Sequence, residues 1–188
     1  MIREAEDILW QDLMWVGQKK DRFEIDLDSL QDNLSLAARG ASWVTNEANG
    51  MKDKTQWMMD QMLKAPKDQQ LWDRKANTWR MSRVWGYRQL QRRFKELALA
   101  LGHKTPGPPA HREEITPIRF RNGFLQERNI YIINGRMCYV TRYHKSLALF
   151  GEAKVIPRFL PWRVGQLFAV YLAYVQPFSE TLDQKTNG

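Results

Sequence analysis

Apolar positions set the rhythm of this chain. Over residues 2–18, Ile2, Leu9, Leu13 and Val16 recur at spacings of seven, four and three with Trp10 and Trp15 beside them, the period of an amphipathic helix. Asp28-Ser29 stands where a cap would open a short helix over residues 30–38, closed by Arg39-Gly40, and Asn49-Gly50 marks a turn. Thr55 reads as the cap of a helix over residues 56–63, ended by Ala65-Pro66 because the residue before proline avoids helical backbone. Residues 72–101 predict a long helix, or two. Met81, Val84, Trp85, Leu90, Phe94, Leu97 and Leu101 share its apolar side, Trp79, Trp85 and Phe94 read as core, and Gly102 ends it.

Thr105-Pro-Gly-Pro-Pro109 can be neither helix interior nor central strand and reads as a stiff connector. A short helix interrupted by Pro117 and a turn at Arg121-Asn122-Gly123 follow. The period then changes to two. Ile130–Ile133 and residues 137–143 are rich in β-branched and aromatic side chains around Asn134-Gly135, a strong hairpin signal. Lys154–Phe159 reads as a third strand, shortened or placed at an edge by Pro157. Pro161 opens a helix reaching about Gln176, where Pro177 stops it. Val164, Leu167, Phe168, Val170, Tyr171, Leu172, Tyr174 and Val175 cover most of its circumference and require burial on nearly every side. The elements predict an α+β fold, mainly α. A helical amino-terminal region, 1–104, precedes a region, 105–188, in which a three-stranded antiparallel hairpin sheet packs on a buried helix.

Composition agrees with a folded chain: 43% of its 188 residues are hydrophobic and 12% aromatic. The formal charge of +8 favours polyanionic partners. Its placement says more. Residues 1–73 carry nine Lys/Arg against fourteen Asp/Glu, residues 74–121 twelve against three, and the remainder eight against four. The middle segment is therefore the basic one, and Arg80, Arg83, Arg88, Arg92, Arg93 and Lys95 fall largely outside the apolar stripe of the long helix. Cys138 is the single cysteine, and His103, His111 and His144 lack paired metal-ligand spacings, so no metal site or cofactor is expected. The apolar run 167–175 is too short to span a bilayer, and the acidic amino terminus is unlike a secretory signal, so no membrane partner is expected.

GASWVTNEANGM at 40–51, TPGPPAHREEI at 105–115, and the stretch 128–178 with its YHK, IPRFLP and QPF sequences resemble the recombinase-like region of fungal telomere-linked RecQ-type helicases and related mobile-element proteins. Through them the chain is similar to tyrosine recombinases, over about residues 23–178. The resemblance implies a core-binding or arm-like amino-terminal part and a partial catalytic domain starting near Pro109, without the half that carries the nucleophile. It also implies a nuclear protein.

Tyrosine recombinases attack a DNA phosphate with a tyrosine hydroxyl. Arginine forks stabilise the non-bridging oxygens, and a hairpin-loop lysine serves as acid for the leaving oxygen. Lys145, after the hairpin in TRYHKS, stands where the resemblance puts that lysine. Strand alternation sets Arg142 and His144 on one face and Tyr143 and Lys145 on the other. Glu114-Ile115 fits the end of the family's first-arginine pattern, which places His111 at the expected arginine position and Arg112 one place later. The family's His-x-x-Arg is absent, since Pro106, Glu114 and Leu147 stand three residues after the histidines. Tyr171 and Tyr174 read as core.

Three functions follow from the resemblance. The first is a recombinase-derived protein that binds duplex DNA phosphates through Arg80, Arg83, Arg88, Arg92, Arg93, Arg112, Arg119, Arg121, Arg142 and Lys145. The second is a module that docks on a helicase or on another copy of itself. The third is a recombinase half completed by another chain.

Overall fold

The first helix changes pitch along its length. The computed structural model describes residues 1–51, 53–107, 118–143 and 154–187. It starts with α1 (Ile2–Asp7), which widens into a π-helical turn, Ile8–Leu13, burying Ile8, Leu9, Trp10 and Leu13. The helix stops there, five residues short of the predicted span. Trp15 takes a left-handed backbone, φ 57°, a conformation that costs a bulky residue energy. Its ring stacks on Tyr87 at 5.4 Å and meets Phe178 edge-on at 5.9 Å, contacts that hold the turn.

No helix forms over residues 30–38, contrary to the expectation, because the backbone groups of that segment are satisfied from elsewhere. Gln31 N donates to Asn49 Oδ1 at 2.8 Å, and the side-chain amides of Asn46 and Asn49 donate to Gln31 O. Asn122 Nδ2 donates to Leu36 O and Ala38 O, and Arg128 Nη2 to Asn33 O. Asn33 Oδ1 accepts from Ser35 N, a local turn that competes with helical bonding. Gln166 clamps the chain just upstream, taking Ile25 N at 2.9 Å and giving to Ile25 O at 2.8 Å.

α2 (Lys54–Lys64) ends at Ala65 as predicted, but Thr55 lies within its first turn and is not the cap. Residues 72–79 are not helical. They form a small hairpin, β1 (Trp72–Asp73) against β2 (Thr78–Trp79), because Asp73 Oδ1 accepts from the amides of Lys75 and Ala76 and Asn77 adopts φ 51°. Trp72 and Trp79 close it edge-on at 5.0 Å.

α3 (Met81–Lys104) then runs without a break. Gly102 does not end it; a Cβ there would lie 3.2 Å from the Phe168 ring, so glycine allows a close helix approach. Val84, Tyr87, Gln91, Phe94, Leu97, Ala98 and Leu101 face inward. Met81 and Trp85 point outward, against the apolar assignment made from the sequence.

The sheet is the predicted one. β3 (Ile130–Ile133) pairs with β4 (Arg136–Tyr143) around Asn134 and Gly135, at φ 49° and 68°, and β5 (Lys154–Phe159) adds to the other side of β4, antiparallel, with Pro157 on this edge. Asp32 Oδ2 accepts from Ile132 N at 2.9 Å, occupying the free edge of β3.

α4 (Trp162–Val170) leads through a π-helical turn, Tyr171–Val175, into α5 (Gln176–Asn187). Pro177 therefore does not stop the helix. The π turn resets the bonding register, so Pro177 falls in the first turn of α5, where its missing N–H is not needed. The buried turn and its flanks pack into one hydrophobic cluster that draws on α1, α2, α3, the sheet, α4 and α5 together. Among the described residues no helix is long and apolar enough to cross a membrane.

Candidate nucleic-acid interface

The outer side of α3 carries the cations Arg88, Arg92, Arg93 and Lys95. Trp85, Gln89 and Arg92 follow one another at four and three residues, so they line one side of the helix. Trp85 is 64% exposed and the Arg92 side chain 75%. An exposed indole on the same side of the helix as Arg92 offers an apolar surface beside charge. Arg83, Lys95 and Lys104 are also exposed and form no ion pair among the described residues.

Most of the other predicted contacts are held by acids of the chain itself. Arg80 donates to Asp73 Oδ2 at 3.0 and 3.3 Å and to Lys67 O at 2.8 Å, which braces the β1–β2 hairpin. The amides of Ala76 and Lys75, then Arg80, hold the Asp73 carboxyl below its usual range. Arg88 reaches Asp183 at 2.6 Å and Thr186 at 2.9 Å, Arg92 reaches Glu96 at 3.3 Å, and Arg93 reaches Glu4 at 2.7 Å. Arg121 pairs with Glu180 at 2.9 Å while its guanidinium lies over Phe120, 4.6 Å from the ring centre. These pairs are at least partly exposed. Screened by water, each adds little to stability, and its arginine can be released to another anion.

Glu180 and Asp183 lie three residues apart on α5 and so on neighbouring positions of one face. Through them Arg88 of α3 and Arg121, at the foot of the 119–129 loop, are drawn to the same side of the molecule. A hydrogen-bond chain backs this arrangement. Gln91 Nε2 donates to Tyr171 Oη at 2.9 Å, Tyr171 Oη donates to Gln176 Oε1 at 3.1 Å, and Gln176 Nε2 donates to Glu180 Oε1 at 2.9 Å.

The 119–129 loop is braced at its base. Asn129 N and Ile130 N donate to Arg119 O, Arg119 N donates to Asn129 Oδ1, Asn122 N donates to Ala41 O and Gly123 N to Gln126 O. Arg119 is exposed and, among the described residues, unpaired; its guanidinium would lie 3.3 Å from a Cβ at Gly123. At the tip, Phe124 is 83% and Leu125 87% exposed. Sequence reasoning passed over this pair because two apolar residues in a polar loop have no periodicity. It assigned Trp85 to the core because the indole is large and apolar, although it stands about 100° or more round the helix from Val84, Tyr87 and Phe94.

Arg142 stands on β4 opposite Val155. His111, Arg112, His144 and Lys145 lie outside the described residues. Tyr171 is buried, and desolvation pushes its phenol well above its ordinary range, so it stays a neutral donor. Tyr174 is buried among Phe23 and Trp57. Burial also pushes the Cys138 thiol up to about 11, which leaves it protonated at neutral pH. Among the described residues no cluster of His, Cys, Asp and Glu could hold a metal ion. No family model matches the chain, and no solved structure matches it significantly.

Proposed function

We propose that this chain is a recombinase-derived nuclear protein that binds duplex DNA, chiefly through phosphates, along the outer face of α3. The observation that carries the reading is the exposed Trp85 on the same helix face as Arg92, within a segment holding twelve Lys/Arg against three Asp/Glu. Lys95 and Arg119 add cations that are exposed and, among the described residues, unpaired, whereas Arg83 stands nearly opposite Trp85 on the helix. Arg88, Arg93 and Arg121 become available when their acids are displaced. Binding of this kind reads little sequence and weakens as salt rises, because each phosphate contact releases a counterion. Lys145 and Arg112 are the positions at which a catalytic remnant would act. Strand cutting and joining would further require a His-x-x-Arg and a nucleophilic tyrosine beyond these two positions.

Fluorescence anisotropy on a labelled duplex over a salt series tests the reading. Affinity should fall by one to several orders of magnitude between low and physiological salt, on the scale of about 10³-fold for six or more contacts. Trp85→Ala should weaken binding only modestly, by about threefold, through loss of apolar contact with the sugar-phosphate backbone, while leaving the melting temperature unchanged. Arg88, Arg92 and Arg93 changed together to Ala should flatten the salt slope. No binding at low salt by the folded protein overturns the proposal.

A second reading rests on a cavity of about 1010 Å³ between α3 and the sheet, lined among the described residues by Phe94, Leu99, Phe120, Cys138, Phe168 and Tyr171. It suits an apolar docking partner such as a helicase segment or a second copy. Self-association without DNA in sedimentation velocity would favour it.

A further inference from the structure

We infer that Phe124 and Leu125 form an apolar wedge that enters a DNA duplex between base steps and bends it. The inference rests on the DNA-binding reading above and goes beyond phosphate contact. Two large apolar side chains stand almost wholly in water at adjacent positions, on a loop that is fixed and not slack. Gly123 N to Gln126 O, 2.8 Å, closes the tip. Asn122 pins the foot, donating from Nδ2 to Leu36 O and Ala38 O and accepting Arg128 N at Oδ1, 2.9 Å. Such bracing presents the pair without letting it fold back onto the protein.

Arg119 and Arg121 outnumber the acid nearest the tip, Glu127, and this balance favours a polyanionic partner. Arg119 lies against Gly123, and Arg121 stands at the loop foot over Phe120. Guanidinium groups beside an apolar point match a polyanion whose interior is a stack of flat apolar rings. Proteins that kink DNA insert Phe, Leu, Ile, Met or Pro between base steps and hold the flanking phosphates with Arg and Lys. The link from Arg121 to Glu180 and from Arg88 to Asp183, on one face of α5, brings the loop to the side where α3 shows its cations. A duplex lying along α3 would meet the tip at one end and bend there.

The test measures the end-to-end distance of a doubly dye-labelled duplex by energy transfer, and unstacking by 2-aminopurine fluorescence, with the full chain. The wild type should shorten the duplex and brighten the reporter. The variant carrying Phe124→Ser and Leu125→Ser should leave the duplex straight, with affinity reduced about tenfold and the salt slope unchanged, since no phosphate contact is lost. The variant carrying Phe124→Leu and Leu125→Met should still bend it, which separates wedge chemistry from damage to the loop. Salt-sensitive binding by the wild type with a straight duplex would overturn the wedge and leave the phosphate reading standing. No binding would overturn both. Binding to vesicles of anionic phospholipid, lost in the serine variant while DNA stays straight, would overturn the wedge in favour of a lipid anchor.

Discussion

Asp32 and Arg128 show how much one pair of side chains can organise. Their charged groups meet at 2.6 Å with side chains 1% and 2% exposed, and Arg128 also lies over Tyr131, 4.5 Å from the ring centre. Each has a second task, Asp32 on Ile132 N and Arg128 on Asn33 O. Removing one charge strands the other in a poorly solvated place. Asp32→Ala should therefore cost about 3–5 kcal/mol in urea unfolding. Asp32→Leu with Arg128→Met should recover part of that loss, because no lone charge remains while Ile132 N still lacks its acceptor. A cost below about 1 kcal/mol for the single change would mean that water reaches the pair. Nothing in the sequence announces this contact. Local chemistry was legible, as in Asn134-Gly135 and Ala65-Pro66, where a residue acts on its own backbone. Asp32 acts on an amide 100 positions away, and a polar residue in a loop has no period that would reveal it.

Among the elements, the sheet and the buried helix followed from alternation and apolar density, while two of the errors share one cause. Residues 30–38 and 72–79 have helical spacing, yet Asn33 and Asp73 satisfy nearby amides and turn the chain first. Pro177 misled in the opposite direction, since proline ends a helix only if the bonding register runs through it. With the register reset at Tyr171–Val175, Pro177→Ala should change stability by less than about 1 kcal/mol by thermal melting, against about 3 kcal/mol for a proline in a regular helix interior. A stabilisation near the larger figure would show that the π turn is a response to the proline and not an independent feature. The same turn aims Tyr171 at Gln176 and, through it, at Glu180, so the register of a core helix sets the position of a surface acid.

At the scale of the whole molecule, charge opposes charge. α5 places Glu180 and Asp183 on two arginines of the proposed DNA face, and Glu4 of α1 covers Arg93. These acids lower the local positive potential and compete with phosphate. Glu180→Gln with Asp183→Asn should raise duplex affinity about threefold to tenfold at low salt, with the gain shrinking as the Debye length shortens. The melting temperature should fall only slightly, because the pairs lie near the surface. Unchanged affinity would place DNA away from this side. The basic middle segment was legible as a charge count, but its neutralisation by acids from both ends of the chain was not, since it depends on which helices pack together. Those distant partnerships also govern how the chain reaches its final form. Ile25 waits for Gln166, 141 positions on, and Asp32 waits for Ile132. Residues 25–32 cannot settle until residues 132–166 have left the ribosome. Contacts this far apart close slowly, so residues 25–32 stay open to chaperones, proteases and misassembly while the intervening chain is made.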